Sequence, residues 1–301
     1  MAAITVIGGI NIDIEGAPYG RLIGADSNPG KVSIAFGGVG RNIVENVARM
    51  GGDCGMVSRT GTDAMGMSAK QSLQNLGVDV SGIESVPKEE TGMYLSILNE
   101  KNDMALAICG MDIVERITPE YLETWIDRIN QSKIVCVDCN LSEAAIAYLA
   151  ENVKVPMFLD PVSVTKAERV KGYVHYFHTV KPNRLEAEIL TGISITDDIS
   201  LRKAAAWFME RGVKRVFISL GERGAYYKDA YEEGIVGTRL VELKSATGAG
   251  DAFSAAILMG HVLGRSAKET AQMGIACSSI AMEAKTAVNP QMSMEEVEKR
   301  L

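Results

Sequence analysis

Apolar positions are distributed along this chain in two different ways. From residue 111 onward, short apolar runs at Ile134–Val137, Met157–Leu159, Thr179–Val180 and Val216–Leu220 alternate with stretches of helical spacing at Glu143–Glu151, Arg184–Thr191 and Ser200–Arg211. Runs without an outward polar set suit strands buried on both faces, and such strands are usually parallel and joined by crossover helices. Ile4-Thr5-Val6-Ile7 is another β-rich run; it closes on Gly8-Gly9, and Asn11 and Asp13 follow at alternate positions that share one face. The stretch from Arg41 carries helical spacing through Ile43, Val47 and Met50 and is opened by a glycine cluster. Residues 14–36 and 91–110 break this rhythm, with sparse apolar positions, frequent turn residues and small strands at Tyr94–Leu98 and Met104–Ile108. The pattern predicts one α/β body spanning 1–301, with two insertions near its N-terminal half that form a small β-sheet lid.

Composition agrees with a folded chain. Its 301 residues are 47% hydrophobic and 23% charged, which excludes disordered and fibrous classes. The 31 basic residues against 38 acidic ones give a net charge of −7 with no basic stripe, so a nucleic-acid polymer is not an expected partner. A small anion held by backbone N–H groups remains compatible with that charge. The N-terminus has no basic leader and no apolar stretch reaches ~18 residues, so neither a signal peptide nor a membrane span is expected, and the expected location is the cytoplasm. The five cysteines are an odd and scattered set, as for reduced thiols. Cys136-x-x-Cys139 resembles half a zinc site, but it falls on an apolar strand, where residues three apart face opposite ways.

Four segments carry candidate chemistry. In Ser245-Ala246-Thr247-Gly248-Ala249-Gly250-Asp251 small residues run into an apolar helix. Such a helix start lets an anion approach free N–H groups and adds favourable dipole charge. Asp251, in the first turn, is expected to be ionised at the ordinary carboxyl pKa of ~3.9 and could accept a proton from an attacking hydroxyl; small-residue packing with a dipole-complementing Asp is the plainer reading. Gly37-Gly38-Val39-Gly40-Arg41-Asn42 also precedes a helix, and Asn42 would offer its amide beside bare backbone, as a sugar hydroxyl requires. Lys181-Pro182-Asn183-Arg184-Leu185-Glu186 puts Asn183 and Glu186 one turn apart, fit either for a helix cap or for the water shell of Mg²⁺. Ser219-Leu220-Gly221-Glu222-Arg223-Gly224 reads as strand, glycine turn, strand.

In their order and separation, Gly37-Gly38-x-Gly40-x-Asn42, Asn183-x-x-Glu186 and Thr247-Gly248-Ala249-Gly250-Asp251 resemble the ribokinase-like (PfkB) family of sugar and nucleoside kinases, across essentially the whole chain. The resemblance implies a three-layer α/β/α sandwich with a mostly parallel central sheet and a small β-sheet lid. It implies that Asp251 is the base, that Gly248, Ala249 and Gly250 form the anion hole, and that Asn183, Glu186, Ser219, Gly221, Gly224 and Thr247 serve ATP, with Glu186 holding Mg²⁺ through water. Asn11, Asp13, Gly38 and Asn42 would grip the sugar; Ser27, Asn28, Asn140 and Lys166 would complete the substrate pocket, a solvated turn being the rival for the segment at Asp26-Ser27-Asn28. Further segments, among them Ala25–Lys31, Val137–Glu143 and Asp160-Pro161-Val162-Ser163, resemble the members that phosphorylate the 5′-hydroxyl of pseudouridine. Ribose, inosine, adenosine and fructose are the alternative acceptors, and a catalytically silent nucleoside sensor is the alternative class. Ser245 stands where many relatives have Asp, which leaves a monovalent-cation site open, and the likeness extends to a homodimer through the lid.

Overall fold

Hydrogen-bond pairing sorts the strands into two sheets in the computed structural model, which describes residues 2–101, 103–239 and 241–301. Asn102, within the insertion expected at 91–110, lies outside them. In chain order the strands are β1 (Ile4–Ile7), β2 (Asn11–Pro18), β3 (Gly30–Gly37), β4 (Cys54–Gly61), β5 (Ile83–Val86), β6 (Gly92–Leu98) and β7 (Met104–Gly110), followed by β8 (Ile134–Asp138), β9 (Met157–Asp160), β10 (Thr179–Val180), β11 (Arg215–Ser219), β12 (Ala225–Lys228) and β13 (Glu233–Val236). The large sheet has the order β13-β12-β11-β10-β9-β8-β1-β4-β5. It is parallel from β11 to β5 and antiparallel only where β12 and β13 close one edge.

Side chains on one strand divide between the two faces. On β8, Ile134 and Cys136 join the core that contains Ile43, Val47 and Phe253, while Val135 and Val137 join the core that contains Leu149, Leu190 and Phe208. Helices therefore cover both faces, Val39–Arg49, Ala249–Val262 and Ala267–Met282 on one side, Glu143–Asn152, Arg184–Thr191 and Asp198–Glu210 on the other. This is the parallel α/β body expected from the apolar runs, and the α/β/α sandwich that the family resemblance implies. Burying each Leu, Val or Phe of these cores contributes about 1.5–3 kcal/mol. Cys136 and Cys139 sit in different cores and are both free thiols.

The smaller sheet has the order β3-β2-β6-β7. Its four strands join the rest of the chain at the same end: Asn11 pairs with Gly37 and Gly92, and Met93 pairs with Gly110. Val32, Ile34, Met104, Leu106 and Ile108 leave its outer strands well exposed.

From β1 the chain builds outward through β4 to one side and through β8 to the other. Open α/β sheets bind ligands at such a reversal, beyond the carboxyl ends of the strands. Asp138 ends β8, Asp160 ends β9 and Lys181 follows β10, so three ionisable groups converge where this rule places a site.

Candidate active site

Asp138 fastens the reversal point together. Its fully buried carboxylate accepts N–H groups from Gly9 at 3.1 Å, Gly40 at 2.8 Å and Asn140 at 2.9 Å. Burial pushes its pKa up, and the Asn140 and Gly9 N–H groups hold it down. A Cβ on Gly8 would collide with this carboxylate, so glycine is what allows β1 and the Val39–Arg49 helix to approach the end of β8. That helix starts from Gly38 at φ 102° with no capping side chain, and the Arg41 N–H reaches the Gly9 carbonyl at 3.2 Å. Asn42 is thereby delivered to Asp251: its Nδ2 donates to Oδ2 at 2.9 Å.

Asp251 lies in the first turn of the Ala249–Val262 helix. Gly248, in the left-handed region at φ 81°, caps this helix with backbone alone; a Cβ there would collide with the Ala287 carbonyl oxygen. Asp251 is not the ordinary ionised carboxylate that its place in the sequence suggested. Burial, reinforced by the Asp160 charge, pushes it up to about 7, against the lowering effects of the Asn42 amide and of Lys181. Neutral pH thus populates both of its protonation states.

Behind Asp251, Asp160 accepts the Ser254 hydroxyl at 2.6 Å and stands 3.4 Å from the Lys181 ammonium. Lys181 is 5% exposed. Burial opposes its charge, but Asp160, Glu186 and Asp251 outweigh it and hold the ammonium above its ordinary pKa. A Cβ on Gly250 would lie 3.8 Å from the same nitrogen, so a fixed cation adjoins the helix start. Asp138, Asp160 and Lys181 were not among the sequence-derived candidates. The signal was present: each is a charged residue at the carboxyl end of an apolar run, Ile134-Val135-Cys136-Val137-Asp138, Met157-Phe158-Leu159-Asp160 and Thr179-Val180-Lys181.

A cavity of about 960 Å³ opens from this helix start toward β11 and β12. Lys181, Asn183, Ser219, Gly221, Gly224, Ala249 and Gly250 line it, with Leu243, Phe253, Ile275 and Met282 as its apolar walls. Glu186 and Thr247 do not. Thr247 is exposed and its N–H donates to Ser245 Oγ at 3.1 Å. Asn183 and Glu186 form a reciprocal capping box: Asn183 Oδ1 accepts the Glu186 N–H at 2.9 Å, and Glu186 Oε2 accepts the Asn183 N–H at 2.8 Å. The cap reading of this pair is therefore realised. Glu186 Oε1 stays outside the box, which suits a carboxylate that meets Mg²⁺ through water.

On the other side of Asp251, Asn11 Nδ2 donates to Asp13 Oδ1 at 2.6 Å, and a Cβ on Gly37 would collide with the Asp13 carboxylate. Burial pushes Asp13 up, against Asn11 and Arg41. Asn140 Oδ1 accepts from the Lys166 ammonium. Ser27 and Asn28 are not brought to these groups by any hydrogen bond among the described residues. Asn28 Oδ1 accepts the Ile23 N–H at 2.8 Å, and its Nδ2 donates to the carbonyls of Ile23 at 2.9 Å and Asp26 at 3.0 Å, so its side chain is spent on its own turn.

A helix start stripped of side chains, a carboxylate poised near neutrality and a deep cavity on one side form the site of a phosphotransferase with an alcohol acceptor. The family model for pfkB family carbohydrate kinases matches residues 1–293, and the chain belongs to that family. Among its relatives, the pseudouridine kinase of Escherichia coli (strain K12) is 39% identical over 296 residues, 98% of this chain and 95% of that protein. The ribokinase of Arabidopsis thaliana, solved with ribose and ATP, superposes with a TM-score of 0.87 at 23% identity over 99% of this chain and 98% of its own. An E. coli protein described as Ribokinase II, solved with ATP and Mg²⁺, superposes with a TM-score of 0.85 at 22% identity over 99% and 98%. The fold is ribokinase-like. No helix among the described residues is long and apolar enough to cross a membrane.

Proposed function

We propose that this protein transfers the γ-phosphoryl group of ATP to the 5′-hydroxyl of a nucleoside, with pseudouridine as the acceptor. The observation that carries this reading is the position of Asp251, in the first turn of an uncapped helix, hydrogen-bonded to Asn42, beside a cavity of about 960 Å³. In its ionised form Asp251 takes the proton of the 5′-hydroxyl as the oxygen attacks phosphorus. Gly248, Ala249 and Gly250 offer backbone N–H groups to the charge that spreads over the phosphoryl oxygens, and Lys181 adds a buried cation. Bound Mg²⁺ would neutralise phosphate charge, with Glu186 holding its water shell. Asn183, Ser219, Gly221 and Gly224 border the nucleotide, and Thr247 adjoins the anion hole from outside the cavity. Asn11, Asp13, Gly38 and Asn42 grip the ribose, and Asn140 with Lys166 meets the base.

The small sheet closes over the sugar and excludes water that would otherwise hydrolyse ATP; Ser27 and Asn28 come to the base with it. Its exposed apolar strands pair two lids in a homodimer, and the enzyme works in the cytoplasm. Support for pseudouridine comes from the 39% identity with a pseudouridine kinase. A panel of pseudouridine, uridine, inosine, adenosine, ribose and fructose with Mg·ATP, read by ADP release, tests the reading. Pseudouridine should give the highest kcat/KM. Equal rates across the panel overturn the substrate, and no turnover on any member leaves the nucleoside sensor.

A further inference from the structure

Arg41 is a second buried cation, and it contacts the Asn42 side chain that meets Asp251. It lies in the first turn of the Val39–Arg49 helix and is 5% exposed. Its Nη2 pairs with Glu45, which also accepts from Arg49 Nε at 2.7 Å. Its Nη1 donates to two acceptors, the Phe36 carbonyl near the end of β3 at 3.2 Å and Asn42 Oδ1 at 3.1 Å. Arg41 Nε is buried without a partner among the described residues. Replacing a buried ion pair by hydrocarbon of similar volume is often neutral or stabilising, so such a pair is weak evidence of a purely stabilising role.

The second acceptor has a chemical consequence. A side-chain amide has one oxygen and one NH₂, and its two orientations differ only in which end faces which neighbour. Because Arg41 occupies Asn42 Oδ1, the NH₂ faces Asp251. The flipped amide would set oxygen against carboxylate and NH₂ against guanidinium.

We propose that Arg41 is a positioning residue for the phosphoryl transfer: it locks the Asn42 amide so that a donor always faces Asp251, and it anchors that arrangement to the end of β3. This rests on Asp251 being the base of the proposed reaction. The charged and polar groups facing Asp251 are Asn42 from the Val39–Arg49 helix, Asp138 at the end of β8, Asp160 at the end of β9 and Lys181 after β10. Those facing Arg41 are Glu45, Arg49 and Asp13. With Arg41 removed, the amide turns freely, Asp251 loses its steady donor and holds its proton to higher pH.

Two readouts on Arg41→Met, Asn42→Ala and the double variant test this. In substrate-free protein, the Asp251 carboxyl titration followed by carbon NMR should move up by about half a pH unit or more in Arg41→Met. In the enzyme, kcat should fall about tenfold with KM for ATP unchanged, and the double variant should lose no more than Asn42→Ala alone. An unmoved titration, or losses that multiply in the double variant, overturns the proposal. Arg41→Lys keeps a charge against Glu45 but cannot span both acceptors; where Arg41→Met does not fold, a parental titration in Arg41→Lys overturns it equally. A parent inactive on every acceptor removes the kinase reading, and the titration then decides this proposal by itself.

Discussion

Two helices of this protein begin alike and are used differently. Val39–Arg49 and Ala249–Val262 both start from a glycine of positive φ, and neither has a capping side chain, whereas Asp63, Ser142, Asn183, Asp197, Ser266 and Ser293 cap other helices. At the first start the free N–H groups are consumed within the protein: Gly40 gives its N–H to Asp138 and Arg41 to the Gly9 carbonyl. At the second, small residues lead to an open cavity and a lysine ammonium. The same glycine-rich beginning is a fastening in one place and, in the proposed reaction, an anion receptor in the other. What decides is whether an internal carboxylate already fills it, and that is a matter of tertiary contact.

The largest expected effect falls on the second start. Asp251→Asn should lower kcat by about two or more orders of magnitude with KM for ATP nearly unchanged; steady-state kinetics at saturating ATP measure it, and near-parental turnover refutes the assignment. The pH profile comes next. Because the Asp251 carboxyl is pushed up to about 7, kcat/KM should rise with pH and level off above about 7, falling about tenfold per unit below it. A profile flat down to pH 5 breaks this reading. The same shift carries a stability sign. The folded protein holds this proton more tightly than the unfolded chain, so stability is favoured at low pH and lost as pH rises through 7. Above pH 7, Asp251→Asn should therefore melt higher than the parent.

The first start should respond in the opposite manner. Asp138→Ala leaves three buried N–H groups without their acceptor and should cost about 1–3 kcal/mol of stability or more, seen in thermal or urea melts. A melting temperature equal to the parent's would show that the fastening is dispensable. The smallest effect is expected at a side-chain cap: Asn183→Ala should lose about 1 kcal/mol. A large loss of Mg·ATP affinity in that variant would sharpen the contrast, by showing that this cap serves the nucleotide as well.

Much of the frame was legible because it is written locally. The runs at Ile134, Met157 and Val216 became β8, β9 and β11 within a residue or two, since continuous apolar runs leave little choice but a strand covered on both faces. Asn183 with Glu186 was legible as two alternatives, and the hydrogen bonds realise the cap. The ionisation of Asp251 was misread for a definite reason. Its neighbours in the sequence are small and neutral, while the charges that govern it, Asp160, Lys181 and Asp138, stand 70 or more positions earlier and meet it only when the strand ends come together. Asn28 shows the reverse case, since its polar groups suit a ligand in isolation, while in the fold they also bond their own turn, a contact its sequence neighbours do not announce.

The four-way attachment of the small sheet has a mechanical consequence. Asn11, Gly37, Gly92 and Gly110 form a row across its near end, three of the four without a side chain, so the sheet resembles a trapdoor on one continuous hinge line. Tilting about that line is the movement such an attachment favours. In such a tilt the far corners near Pro18, Gly30, Leu98 and Met104 would sweep the widest arc, while Asn11 and the Phe36 carbonyl, next to the axle, would scarcely travel.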